Sequence, residues 1–358
     1  MHPLRTTLLL VAAQIVGTTP PATTHSLPTT IRWSVEISAS PAAPPVIDGN
    51  QIFIVLQPGV ISARKVSDGT PAWEVSLQSE QPVAVEGGRV YVATSDQIVA
   101  LNAADGVKVW SAQTSTATVP LVAQGGWVIA TTENGVTAFR SADGSRVWTR
   151  DLVGARAMPT VEADNLYVPL QSGRLLALAL ETGADRWAKN FVGPLSEVLA
   201  LPGEIFFGTD DKWFFCLRAA DGERVWQRVR LGSVLRGRAI ADDNHIYVAS
   251  MDNTLRAYRR TNGALLWHPS VPFRPTTGPV LVDSAVVVAG NASELRAFDA
   301  WTGRPAGEIK LEESLVMPPA FGKSGDSTLM SAFTGTLNGQ WKLVLAGPPV
   351  SAPAAPRE

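Results

Sequence analysis

The chain has 358 residues, with 30 Lys and Arg against 32 Asp and Glu for a formal net charge of −2. That balance excludes the basic stripe of a nucleic-acid binder. One Cys and four scattered His (His2, His25, His245, His268) exclude an internal disulfide and a multi-Cys zinc site, and leave little for a His-based metal cluster.

In chain order, Met1–Arg5 is a short basic start, and Leu8–Val16 is a mostly apolar run. The run is too short for a bilayer span, which takes about 20 residues. Residues 1–22 therefore read as a signal peptide, with small residues for cleavage between Ala12 and Ala22. Residues 23–30 are Thr/Pro-rich and read as a linker. No later stretch is long and apolar enough for a transmembrane span, so the expectation is an exported chain without one.

From residue 31 the sequence repeats. Gly-x-x-x-Trp recurs at Gly69–Trp73, Gly106–Trp110, Gly144–Trp148, Gly183–Trp187, Gly222–Trp226 and Gly263–Trp267, with Trp-to-Trp spacings of 37, 38, 39, 39 and 41. A seventh copy, Gly303–Gly307, lacks the Trp. Ten residues before each of these anchors stands a small residue: Ala63, Ala100, Ala138, Ala177, Cys216, Ala257 and Ala297. Between the anchors, short apolar or alternating runs are separated by turn residues, as in Pro82–Val85, Val90–Thr94, Ile98–Asn102 and Val107–Ser111. Four strands in under about 40 residues leave no room for a helix, and that period is the period of a propeller blade.

After Gly307 a degenerate eighth unit offers three strands, within 316–321, 328–333 and 337–345. The missing fourth is expected at the other end. Ile31-Arg32-Trp33-Ser34-Val35 resembles the Trp strands, and Trp33 precedes Trp73 by 40 residues. The expected fold is all-β: an eight-bladed β-propeller of four-stranded antiparallel blades over 31–345, closed by the N-terminal strand. Residues 346–358 form a Pro/Ala-rich tail expected to be disordered.

The two columns have a physical reading. Each Trp (Trp33, Trp73, Trp110, Trp148, Trp187, Trp226, Trp267) is expected to bridge to the neighbouring blade, with the small residue giving it room. The Gly allows the tight turn before it. Cys216 reads as a small buried hydrophobe in the Ala column. Trp127, Trp213, Trp301 and Trp341 lie off the column.

Ala100-Leu101-Asn102-Ala103-Ala104-Asp105-Gly106-Val107-Lys108-Val109-Trp110 resembles the tryptophan-docking motif of the PQQ-like (pyrroloquinoline-quinone repeat) propeller family. The resemblance extends over nearly all of 31–345. One branch of that family, the quinoprotein dehydrogenases, implies a quinone held with calcium, often under an adjacent Cys-Cys disulfide. One Cys cannot supply that disulfide. The paired acids Asp210-Asp211 and Asp242-Asp243 fall at turns and read as solvated. The chain is similar in size and blade count to a second branch, the BamB-like outer-membrane assembly factors. Those carry a lipobox Cys after the signal, which this chain lacks, so no lipid anchor through an N-terminal Cys is expected.

The expected function is a non-enzymatic, exported scaffold, expected to be a monomeric propeller, binding a protein partner in the cell envelope and periplasmic or outer-membrane associated. No cofactor is expected. The alternatives are a ligand-binding or sensory propeller using the central funnel, and a PQQ-dependent oxidoreductase with calcium. Candidate partner contacts are Leu235, Arg236 and Arg238, because the resemblance implies docking through a Leu-Arg-Gly segment between blades. Phe273 and Arg274 join them as residue types favoured at interfaces. A solvated loop with outward arginines is the competing reading.

Overall fold

A computed structural model of the chain describes residues 27–155, 157–335 and 339–349. The expected signal peptide, most of the linker before Leu27 and the tail from residue 350 lie outside the described residues. Every described regular element is a β-strand, and the strands form eight antiparallel sheets. No helix among the described residues is long and apolar enough to cross a membrane.

Blade 1 comprises Val46–Asp48, Gln51–Leu56, Val60–Lys65 and Pro71–Ser76, hydrogen-bonded in sequence order. Blades 2 to 7 repeat this meander, spanning 84–113, 122–151, 160–190, 199–230, 240–267 and 280–310. First strands of neighbouring blades touch from blade 8 round through blade 1 to blade 5, and again between blades 6 and 7, so the first strands line the centre and the fourth strands form the outer wall. Apolar clusters fill the spaces between blades rather than one central core, as in the cluster of Phe53, Ile61 and Trp73 with Val90 and Val99. Pairing each sheet face with the next blade is how a propeller buries both faces of every sheet.

Blade 8 is built from both ends of the chain. Thr30–Ile37 pairs antiparallel with Trp341–Gly347, placing Trp33 opposite Leu345. The expected closure by the N-terminal strand is therefore present. That strand begins one residue before, and its partner ends two residues after, the limits expected from sequence. The innermost part of this blade comes in two pieces, Ser314–Leu315 and Ala320–Ser324, both paired with Ser327–Gly335.

The Trp column works through a bulge. Trp73 lies opposite Ala63, but Arg64 pairs with Pro71, so Ala72 is an extra residue in the outer strand. The same shift follows Ala100, Ala138, Ala177 and Ala257. A bulge re-aims a side chain, and here it turns the Trp towards the following blade. Trp73 Nε1 donates to Ala103 O at 2.8 Å, Trp148 Nε1 to Leu180 O at 2.8 Å, and Trp33 Nε1 to Val66 O at 2.8 Å across the closure. The anchoring Gly lies under the ring of the preceding blade. Gly106 has φ +72°, and a Cβ there would meet Trp73 at 2.7 Å. Glycine is thus needed for its backbone angle and for its missing side chain.

The seventh outer strand has Gly307 where the others have Trp. Leu27 fills this place: its Cδ1 lies 3.1 Å from where a Gly307 Cβ would stand, and it is buried with Ile309, Leu315, Met330 and Val344. Sequence reading placed Leu27 in a linker, because an isolated Leu among Thr and Pro carries no periodicity.

Candidate functional site: the mouth of blades 3 to 6

Connections between blades cross one face of the ring and share a geometry. Leu195, Leu235 and Pro275 each form a bridge to the end of the next blade's second strand, at Thr209, Ser250 and Gly290. This brings segments about one blade apart in sequence to a common rim. Between blades 3 and 6 the rim encloses a cavity of about 370 Å³, lined by Pro120, Met158, Glu197, Asp210, Leu235 and Arg236 among others.

Leu235 is half-buried. Its side chain covers Gly208, where a Cβ would come within 2.7 Å of Leu235 Cδ1. Arg236 is exposed beside it and is fixed through its backbone, whose N–H donates to Ala249 O at 3.1 Å. Gly237 turns the chain with φ +67°, and Arg238 is exposed beyond it. Leu235 and Arg236 line the cavity; Arg238, Phe273 and Arg274 do not. Phe273 instead packs, half-buried, against Gly290, and Arg274 is exposed next to it on the following connection. Arg236, Arg238 and Arg274 make no ion pair with a described residue.

Three features of this rim were not singled out from sequence. Burial pushes the Glu197 carboxyl pKa up, against the opposing pull of Arg238. Val153 and Val192, at matching places in two successive connections, are 82% and 69% exposed. Aligning the connections as well as the Trp strands exposes that pair as a signal. Across the ring a second cavity of about 410 Å³ lies between blades 1 and 2, lined by Gln57, Gln78, Gln81 and Glu80 with small residues and hydroxyls.

The acidic pairs have separate fates. Asp210 and Asp243 are exposed turn residues, as expected. Asp242 is half-buried and structural: it accepts from Tyr247 Oη at 2.6 Å and from His245 Nδ1 at 3.1 Å. Among the described residues no three His, Cys, Asp or Glu side chains converge to hold a metal ion. Cys216 is fully buried in the Ala column, where burial pushes its thiol pKa well above the ordinary range. Such a thiol is a packing group rather than a nucleophile.

An eight-bladed ring with inter-blade Trp anchors and an open, mixed apolar and basic rim defines the PQQ-like propeller class. Within that class, the sequence model of the family described as outer membrane protein assembly factor BamB matches residues 57–198 and 179–316, and the chain belongs to that family. It is similar to the outer membrane protein assembly factor BamB of Moranella endobia (strain PCIT), at 22% identity over 306 residues, which is 81% of this chain and 69% of that protein. Among curated relatives the match spans from 39% to 69% of the relative's own length. The crystal structure of BamB from Moraxella catarrhalis superposes with a TM-score of 0.71 at 15% identity, covering 88% of this chain and 99% of that one. The quinohemoprotein alcohol dehydrogenase of Comamonas testosteroni superposes with a TM-score of 0.68 at 14% identity, covering 92% and 78%. At these identities the structural likenesses establish the fold alone.

Proposed function

We propose that the protein is a non-enzymatic docking propeller that binds a protein partner during outer-membrane protein assembly. The observation that carries this is the rim segment Leu235–Arg238, where a half-buried Leu and an exposed Arg236 line a cavity of mixed apolar and polar lining, with Arg238 exposed beyond it and neither arginine in an ion pair with a described residue. Interfaces favour Arg with a packed apolar neighbour. Phe273 and Arg274 extend the surface to the next connection. Family membership supports an assembly role, and the cell envelope, on the periplasmic side of the outer membrane, is where such a partner would be met.

Arg236→Glu with Arg238→Glu is expected to abolish co-purification of the natural partner after cross-linking in intact cells, with an unchanged thermal melt. Retained co-purification by a folded double variant would sink the docking surface. The quinone reading is checked separately: titration of the purified protein with PQQ and Ca²⁺ is expected to give no bound-quinone absorbance.

A further inference from the structure

Blades 3 and 4 share an ion-pair habit that blade 5 breaks. The cation two residues after the inter-blade Trp pairs with an acid one or two residues after the next blade's turn Gly: Arg150 with Asp185 at 2.9 Å, and Lys189 with Glu223. In blade 5 the corresponding cation is Arg228, and the corresponding places in blade 6 hold Ala264 and Leu265. Arg228 forms no ion pair with a described residue and lies over the Trp213 ring, with Cζ 4.1 Å from the centroid. Arg230, two residues on, lies over the same ring at 5.0 Å. A guanidinium stacked on an aromatic face keeps its in-plane N–H forks free for an oxyanion.

The surrounding wall has the same character. Arg224 and Lys212 are exposed and form no ion pair with a described residue. Trp213 is half-buried, and its indole N–H meets no acceptor among the described residues, unlike those of the inter-blade tryptophans. Val225, just before the outer strand of blade 5, and Leu265, on the outer strand of blade 6, are 42% and 49% exposed. Replacing the acid by Leu265 therefore both frees Arg228 and adds an exposed aliphatic group.

We propose that this outer wall, centred on the Arg228–Trp213–Arg230 stack, is a contact for an anionic phospholipid surface. Charge complementarity selects an anion, against the chain's overall charge of −2. Cations spread over a strand edge together with an interfacial Trp and exposed aliphatics match a headgroup layer, where basic clusters and Trp both gain. An acidic peptide adding to the sheet edge fits less well, because the edge strand Val229–Arg230 is only two residues long and carries a charge, and short, charged edges oppose strand addition. The site is separate from the Leu235–Arg238 rim and does not depend on the docking proposed there.

The test is co-sedimentation of the full chain with vesicles of phosphatidylglycerol in phosphatidylcholine, against phosphatidylcholine alone. The anionic vesicles should bind the protein, neutral ones should not, and high salt should release it. Arg228→Ala with Arg230→Ala should weaken vesicle binding about tenfold or more. The same variant should keep partner co-purification, and Arg228→Lys with Arg230→Lys should retain most vesicle binding. Absence of parent binding to anionic vesicles overturns the proposal, whatever the variants do. So does binding to polyglutamate but not to vesicles, or a loss produced by Arg236→Ala with Arg238→Ala while Arg228→Ala with Arg230→Ala binds normally.

Discussion

Trp110 shows how much one side chain does in this ring. It is 8% exposed, lies opposite Ala100, donates to Ser141 O at 2.9 Å, and covers Gly144. Trp110→Ala removes a large buried ring and leaves its space between two blades. Such truncations cost about 3–5 kcal/mol, and urea denaturation should show a loss of that size. Asp242 carries a pH dependence. Its burial alone would raise the carboxyl pKa, but hydrogen bonds from Tyr247, His245 and the backbone N–H of Asn244 and His245 together hold it below the ordinary carboxylate range. The contribution is therefore full above the unfolded-state pKa and is lost as pH falls through the lowered folded-state value. Asp242→Asn should lower stability at neutral pH and reduce the acid-side slope of stability against pH, measured by denaturation between pH 3 and pH 7 as a typical acid range (about pH 3–7). These partners were not legible in the sequence. The Gly, Ala and Trp columns were, because they recur at one period; the bonds of Asp242 depend on a single blade's turn and recur nowhere.

The strand Thr30–Ile37 belongs in sequence to one end and in space to the other. It completes blade 8 through its ladder with Trp341–Gly347, and its Trp33 anchors blade 8 onto blade 1. Leu27, just before it, holds blade 7 against blade 8 in place of the absent Trp. Removing residues 1–38 thus strips two inter-blade contacts and exposes the edge of the Trp341–Gly347 strand. A sharp fall in melting temperature by calorimetry is expected, and an unchanged melt would mean that the ring does not close through this strand. The strand itself was readable from the 40-residue offset of Trp33. Leu27 was not, since nothing local distinguishes a Leu that fills a gap three hundred residues away.

At the scale of the ring, repetition made the architecture readable and hid the function. Eight similar blades fix a fold from sequence period alone, and the departures from the repeat mark where the molecule is particular. The rim at blades 3 to 6 is assembled from connections roughly one blade apart, so neither the cavity nor the company of Leu235 with Glu197 and Asp210 could be read along the chain. Arg236 could be placed on a connection, but that it shares a cavity with Glu197 and Asp210 and forms no ion pair with a described residue is a fact of space.

Closure by the first strand also orders events in time. Thr30–Ile37 is made before blades 1 to 7, yet its ladder partner Trp341–Gly347 is made only after them. Until then every partial chain is an open arc with unpaired strand edges, the condition that invites aggregation and capture. A product stopped before Trp341 cannot hide either edge. The ring therefore seals only when Thr30–Ile37 and Trp341–Gly347 are both present to pair.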